Sequence, residues 1–190
     1  MTAIRSTSNP LDQIRELNRA FLTYLKLCAV EKGDCLGLLP AARRTLEAAD
    51  DARLDVVAEF PRALFKLDVE VGLSGQQVHD PGRLGSARRA IHVTIAFGAW
   101  TLCRQSVYQS RLLLALDSRA IQRLRALPIG DVHHLADAPR LVSCAFPTRE
   151  WLWVDLLTEM RPEARRQLVL VALQPRLTSE WPNRRTQLLR

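Results

Sequence analysis

The stretch AIQRLRALPIGDVHHLADAPRLV, Ala120 to Val142, reads as a helix, a tight turn at Pro128-Ile129-Gly130, a second helix, and a strand opening after Pro139. Its skeleton occurs twice. ARRTLEAADDARLDVVAEFPRAL, Ala42 to Leu64, lies at a constant offset of 78 residues, which also sets Leu36 on Leu114 and Leu38 on Leu116. Within the stretch Ala42 meets Ala120, Leu46 meets Leu124, and Ala48 meets Ala126. The most specific match is A-(E/D)-x-P-R, formed by Ala58-Glu59-Phe60-Pro61-Arg62 and again by Ala136-Asp137-Ala138-Pro139-Arg140. A repeated unit changes the whole fold expectation, because each copy must then build the same local core.

Outward from the repeat, the first copy begins with a long amphipathic helix. Leu11, Ile14, Leu17, Phe21, Leu25 and Cys28 recur at spacings of three and four, behind Ser8 or Asn9 as cap and Pro10 in the first turn. The second copy should open with an apolar helix from Ala87 to about Tyr108. RALFKLDVEV alternates like an edge strand, and RLVSCAF reads as its counterpart. Between the copies, the glycine-rich GLSGQQVHDPGRLGS has neither period and reads as a linker. After the second copy, TREWLWVDLLTEM should be a helix capped by Thr148, and RPEARRQLVLVAL a helix opening on Pro162. The expected fold is mainly α: a first unit over 1–72, a linker over 73–86, a second unit over 87–147, C-terminal helices over 148–174 and a tail over 175–190.

Composition narrows the function classes. The 190 residues are 47% hydrophobic, enough for a real core. The longest apolar run, Ile91 to Cys103, is interrupted by His92 and falls short of the roughly 20 residues of a membrane span. MTAIRSTSNP lacks the apolar core of a secretory signal, so a cytoplasmic location is expected. Cys28, Cys35, Cys103 and Cys144 are scattered without a C-x-x-C, which argues for buried free thiols and against a zinc site. The net charge is +7 and the pI about 9.9, a balance that suits an acidic partner such as nucleic acid. Its source is arginine, since only Lys26, Lys32 and Lys66 are lysines, and arginine serves phosphates, carboxylates and interfaces alike.

No catalytic signature emerges. His133 and His134 project about 100° apart on a helix and do not readily share one ion. His79 lies in the linker and His92 in an apolar helix, neither beside a recognisable nucleophile motif. We expect no enzyme, no cofactor and no metal. As a DNA-reading element the opening stretch is poorly equipped. The start of its second helix offers Asp131, His133 and His134, and an aspartate there repels phosphate. Trp151, Trp153 and Leu156 mark a helix apolar nearly all round, destined for the core or for an interface.

The order of these elements resembles the flagellar transcriptional regulator FlhD family. That family has a long first helix of the type L-x-x-I-x-x-x-N-x-x-Y-L, then LG, two short helices, LA, and an LVxxF strand. The first copy supplies LDQIRELNRAFLTYL from Leu11, Leu36-Gly37 and VVAEF; the second supplies Leu114, LRALPIGDVHHLAD and RLVSCAF, ending at Phe146. The resemblance implies two FlhD-like units fused in one chain. It further implies a non-enzymatic activator of transcription that binds DNA as an oligomer with an FlhC-like protein partner. Carried onto this chain, it makes Arg119, Arg123 and Arg125 candidate phosphate contacts, with Arg43 and Arg44 as looser counterparts in the first copy. A different class stays open: a helical adaptor or secretion-system scaffold whose arginines meet carboxylates on a protein partner.

Overall fold

A computed structural model describes residues 9–73, 83–159 and 161–173. The first half opens with α1 (Pro10–Val30), where the Asn9 side chain accepts the Leu11 N–H at 3.1 Å and Pro10 fills the first turn. The Arg43 guanidinium donates to the Cys28 and Ala29 carbonyls, occupying acceptors that the helix end leaves over. Then follow α2 (Pro40–Ala48), α3 (Asp51–Ala58), β1 (Phe65–Leu67) and α4 (Val69–Leu73). The second half comprises α5 (Arg83–Gln105), α6 (Val107–Leu114), α7 (Ser118–Ala126), α8 (Ile129–Leu135) and β2 (Val142–Cys144), followed by α9 (Glu150–Thr158) and α10 (Pro162–Leu173). The protein is mainly helical, with one two-stranded sheet among the described residues. No helix among them is long and apolar enough to cross a membrane.

Several boundaries differ from the sequence expectation, each for a local reason. Residues 83–86, read as linker, form the first turn of α5. That helix does not run on to Tyr108. Ser106 adopts an extended backbone and its hydroxyl accepts the Gln109 N–H, which starts α6 as a separate helix. The strand expected over RALFKLDVEV stops after Leu67, because the Asp68 carboxylate accepts the Val71 N–H and begins α4. Thr148 is not the cap of α9. Arg149 occupies that position without a side-chain cap bond, and Glu150 reaches across to α2 instead. The expected tail and His79 lie outside the described residues.

The duplication is visible in the elements themselves. The offset of 78 maps both ends of α2 onto those of α7 and the start of α3 onto that of α8, and it brings the strands to within one residue. The long helices obey a different offset of 74. It sets buried Leu17, Phe21, Leu22, Leu25, Cys28 and Ala29 of α1 on buried Ile91, Ile95, Ala96, Ala99, Leu102 and Cys103 of α5. The second half therefore spends four extra residues between its long helix and α7, in the segment that contains α6.

The same two offsets explain the A-(E/D)-x-P-R motif. Asn18 falls on His92, and both lie buried beneath the motif. Asn18 Nδ2 donates to the Ala58, Phe60 and Arg62 carbonyls at 3.3, 3.2 and 3.0 Å, and its Oδ1 accepts the Leu64 N–H at 2.8 Å. His92 Nδ1 lies 3.3 Å from the Ala136 carbonyl, the equivalent of Ala58. Arg15 falls on Arg89, and the acidic residue of the motif pairs with it in each half: Arg15 with Glu59 at 3.2 Å and Arg89 with Asp137 at 2.8 Å. The motif is a device for pinning the chain to its long helix after the second short helix. Its charge pairs lie largely in solvent and add little; the buried polar bonds satisfy backbone groups that water cannot reach.

The halves interlock. β1 and β2 pair antiparallel, with Phe65 opposite Cys144, Lys66 opposite Ser143 and Leu67 opposite Val142. The ladder is extended by Ala145 N–H to Leu64 and Asp68 N–H to Leu141, both at 2.8 Å. Beyond each strand the chain crosses over: α4 packs on α7 and α8, whereas α9 packs on α2 and α3. α1 lies against α5, and a Cβ at Gly98 would come within 2.7 Å of the Leu17 side chain, so the helices approach where α5 lacks a side chain. Phe21 meets Phe65 edge-on at 5.6 Å, and Phe60 meets Phe146 at 6.3 Å. The second of these ring pairs joins the two copies across the seam.

Candidate functional site

Of the five arginines suggested by the sequence, three have contacts within the chain. Arg119 and Arg123 both turn to Glu70 of α4, Arg119 at 3.8 Å. Arg43 closes the end of α1 as described. These exposed pairs with Glu70 are worth about 0–1 kcal/mol each, so a phosphate could draw the guanidinium groups away at small cost. Arg44 and Arg125 are exposed and have no hydrogen-bond or ion-pair partner among the described residues.

The positive charge is concentrated in one segment of the chain. Residues 83–130 contain eight arginines and one carboxylate, Asp117, which accounts for the entire net charge of +7. Arg88 reaches Tyr24 and Asp34, Arg89 takes Asp137, and Arg119 and Arg123 take Glu70. Arg104, Arg111 and Arg125 have no carboxylate partner among the described residues. They stand on the end of α5, on α6 and on the end of α7, helices that pack on one another. Arg104 lies over the Trp100 ring at 4.8 Å, and Trp100 Nε1 donates to the Leu127 carbonyl at 3.0 Å, which ties α5 to the end of α7. The Cys103 thiol senses both neighbours: burial pushes its pKa up, while the Ser110 hydroxyl of α6 and the charge of Arg125 oppose that rise. On α6, the helix of Arg111, Tyr108 is 71% exposed and Leu112 54% exposed. Cationic forks beside an accessible aromatic ring can engage a polyanion through paired hydrogen bonds and stacking. The signal in the sequence is the run without acids from Arg83 to Leu116.

The remaining candidates are structural or exposed. His92 is buried, and burial, with Arg88 nearby, lowers its pKa to about 4. Because a carbonyl only accepts, Nδ1 carries the proton given to Ala136, and Nε2 has no partner among the described residues. His133 is exposed with its ring edge on Phe97 at 4.7 Å, and His134 is exposed one residue on. No group of side chains with metal-site geometry occurs among the described residues. All four cysteines are free and buried, and burial raises the pKa of each thiol, which leaves them poor nucleophiles.

The three proposed interface residues separate. Trp153 donates Nε1–H to the Ala145 carbonyl at 2.8 Å and is buried, as is Leu156; both belong to the core, on the helix α9 that packs against α2 and α3 of the same chain. Trp151 is 49% exposed and is the one of the three open to a separate partner. No family model, curated protein or solved structure matches the chain.

Proposed function

We propose that the chain is a non-enzymatic regulatory protein, similar in plan to the FlhD family, that works by assembling with a protein partner on DNA. The observation that carries the reading is the three arginines Arg104, Arg111 and Arg125, exposed on the mutually packed helices α5, α6 and α7 with no carboxylate partner among the described residues, and Tyr108, exposed on α6 one turn from Arg111. Arg119 and Arg123, held loosely by Glu70, extend the charge along α7. Contacts of this type set affinity and position without reading sequence, since phosphate is the same at every base pair. Sequence choice in the complex then falls to the partner or to the shape of the duplex.

The exposed apolar side chains of Val107, Tyr108 and Leu112 favour a second reading, an adaptor that docks on an acidic protein surface. Binding of the purified protein to a labelled mixed-sequence duplex over a salt series, with poly-glutamate as competitor, separates the two. The nucleic-acid reading expects affinity to fall linearly with salt on logarithmic axes, with a slope of about −3 or steeper from three to five phosphate contacts. It also expects poly-glutamate of equal charge to compete poorly. Absence of binding at low salt, or displacement by poly-glutamate at equal charge, favours the adaptor.

A further inference from the structure

A cleft of about 550 Å³ opens on the seam between the halves, lined by residues of both strands. Its size lies within the range of small-molecule sites. Both halves line it: Arg62, Lys66 and Phe65 from the first, Leu116, Phe146 and Arg149 from the second. We infer that this cleft binds a small organic anion, a carboxylate or phosphate monoester carrying an apolar body, whose charged end meets Arg62 and Lys66.

The charge balance of the cleft is the first argument. Three cations, Arg62, Lys66 and Arg149, and three carboxylates line it, and each carboxylate is engaged by the chain, Glu70 through ion pairs and the other two through backbone N–H groups. Asp68 accepts the Val71 N–H at 3.2 Å, Asp117 accepts the Ala120 N–H at 2.8 Å, and Glu70 holds Arg119 and Arg123. Arg62 and Lys66 have no side-chain partner among the described residues. Arg62 is half-buried, and burial lowers its pKa, so its guanidinium has lost water without gaining an anion. A cation placed so is stabilised by a bound carboxylate or phosphate, which accepts from a guanidinium through two parallel bonds.

The duplicated half supplies the second argument. There Glu150 of α9 sets its carboxylate on the Ala41 N–H at 2.6 Å, at the start of α2. In the second half the equivalent of Ala41 is Arg119, at the start of α7 and between the lining residues Asp117 and Ala120. The acidic side chain from the crossing helix, Glu70, lies on the side chains of Arg119 and Arg123. At α2 the carboxylate from the crossing helix sits on the backbone N–H, whereas at α7 its counterpart is drawn to arginine side chains, beside the cleft. Leu116 and Phe146 provide the apolar wall that an inorganic ion would not use.

The full-length protein is titrated calorimetrically with phenyl phosphate, benzoate, inorganic phosphate and benzyl alcohol at constant ionic strength. At least one aromatic anion should bind saturably, at least tenfold tighter than benzyl alcohol and tighter than inorganic phosphate. Its identity distinguishes a phosphate from a carboxylate ligand. Arg62→Met and Lys66→Gln should each weaken it at least tenfold. Lys66 is exposed, so its variant should melt like the wild type without ligand, which keeps the test independent of folding. Absence of saturable binding by either aromatic anion overturns the proposal, as does affinity unchanged in both variants. Equal binding of benzyl alcohol overturns the anion, and equal binding of inorganic phosphate overturns the apolar body.

Discussion

Replacing Asn18 by alanine lowers the stability of the chain by about 4 kcal/mol, the sum of several buried backbone groups losing partners that each cost about 1–3 kcal/mol when orphaned, less what an admitted water restores. The side chain is fully buried and makes four hydrogen bonds, to the carbonyls of Ala58, Phe60 and Arg62 and to the N–H of Leu64. No neighbouring side chain replaces it, because Phe21, Leu22 and Leu64 around it are apolar. For a chain of this length the loss corresponds to a fall in melting temperature of roughly 10 °C. Denaturant unfolding of Asn18→Ala measures it, and a change below about 1 kcal/mol would show that the motif does not depend on this clamp. Asn18→His, which installs the side chain of the other half, should cost less than Asn18→Ala, since an imidazole retains one donor to Ala58.

The second large effect is a dependence of stability on pH that originates at His92. Its pKa is about 6.5 when unfolded and about 4 in the fold. The unfolded chain therefore binds more protons between these values, and stability falls as pH drops from 6.5 to 4, then levels from this source. The contribution is about 3 kcal/mol, fully present above pH 6.5. Carboxylates titrate in the lower part of the same window, so the measurement is a difference. His92→Asn should lose about 3 kcal/mol less than the wild type between pH 7 and pH 4. At pH 7 it should be no less stable, because asparagine at the equivalent position of the first half satisfies the same turn. Parallel pH profiles of the two proteins would contradict the assignment.

The repeat made much of the fold legible in the sequence. Apolar residues at spacings of three and four place α1, α2 and α7, and the conserved spacing within the chain of Ala58-Glu59 and Ala136-Asp137 marks equivalent turns. What periodicity could not convey was the partner of each element. Three-residue strands carry too little alternation to name their neighbour, and the crossing of α4 and α9 depends on that pairing. α6 was missed because Ser106 breaks a helical pattern that is otherwise continuous through Tyr108. The role of Asn18 was hidden in the same way: a polar residue on an apolar face looks like a neutral interruption until the carbonyls above it are in place. For the candidate surface, Arg125 was legible, while Arg104, Arg111 and Tyr108 required the ends of α5, α6 and α7 to be brought together.

The proposed role of that surface can be tested on its own residues. The variant Arg104→Ala, Arg111→Ala, Arg125→Ala changes exposed side chains and should melt close to the wild type. The direct measurement is its affinity for the labelled duplex across the salt series, beside the wild type. The account predicts that the logarithmic salt slope becomes shallower by about three, one for each lost phosphate contact, with affinity at least a hundredfold weaker at low salt. A slope and an affinity unchanged from the wild type would mean that the cluster does not face DNA, and the central proposal would fail.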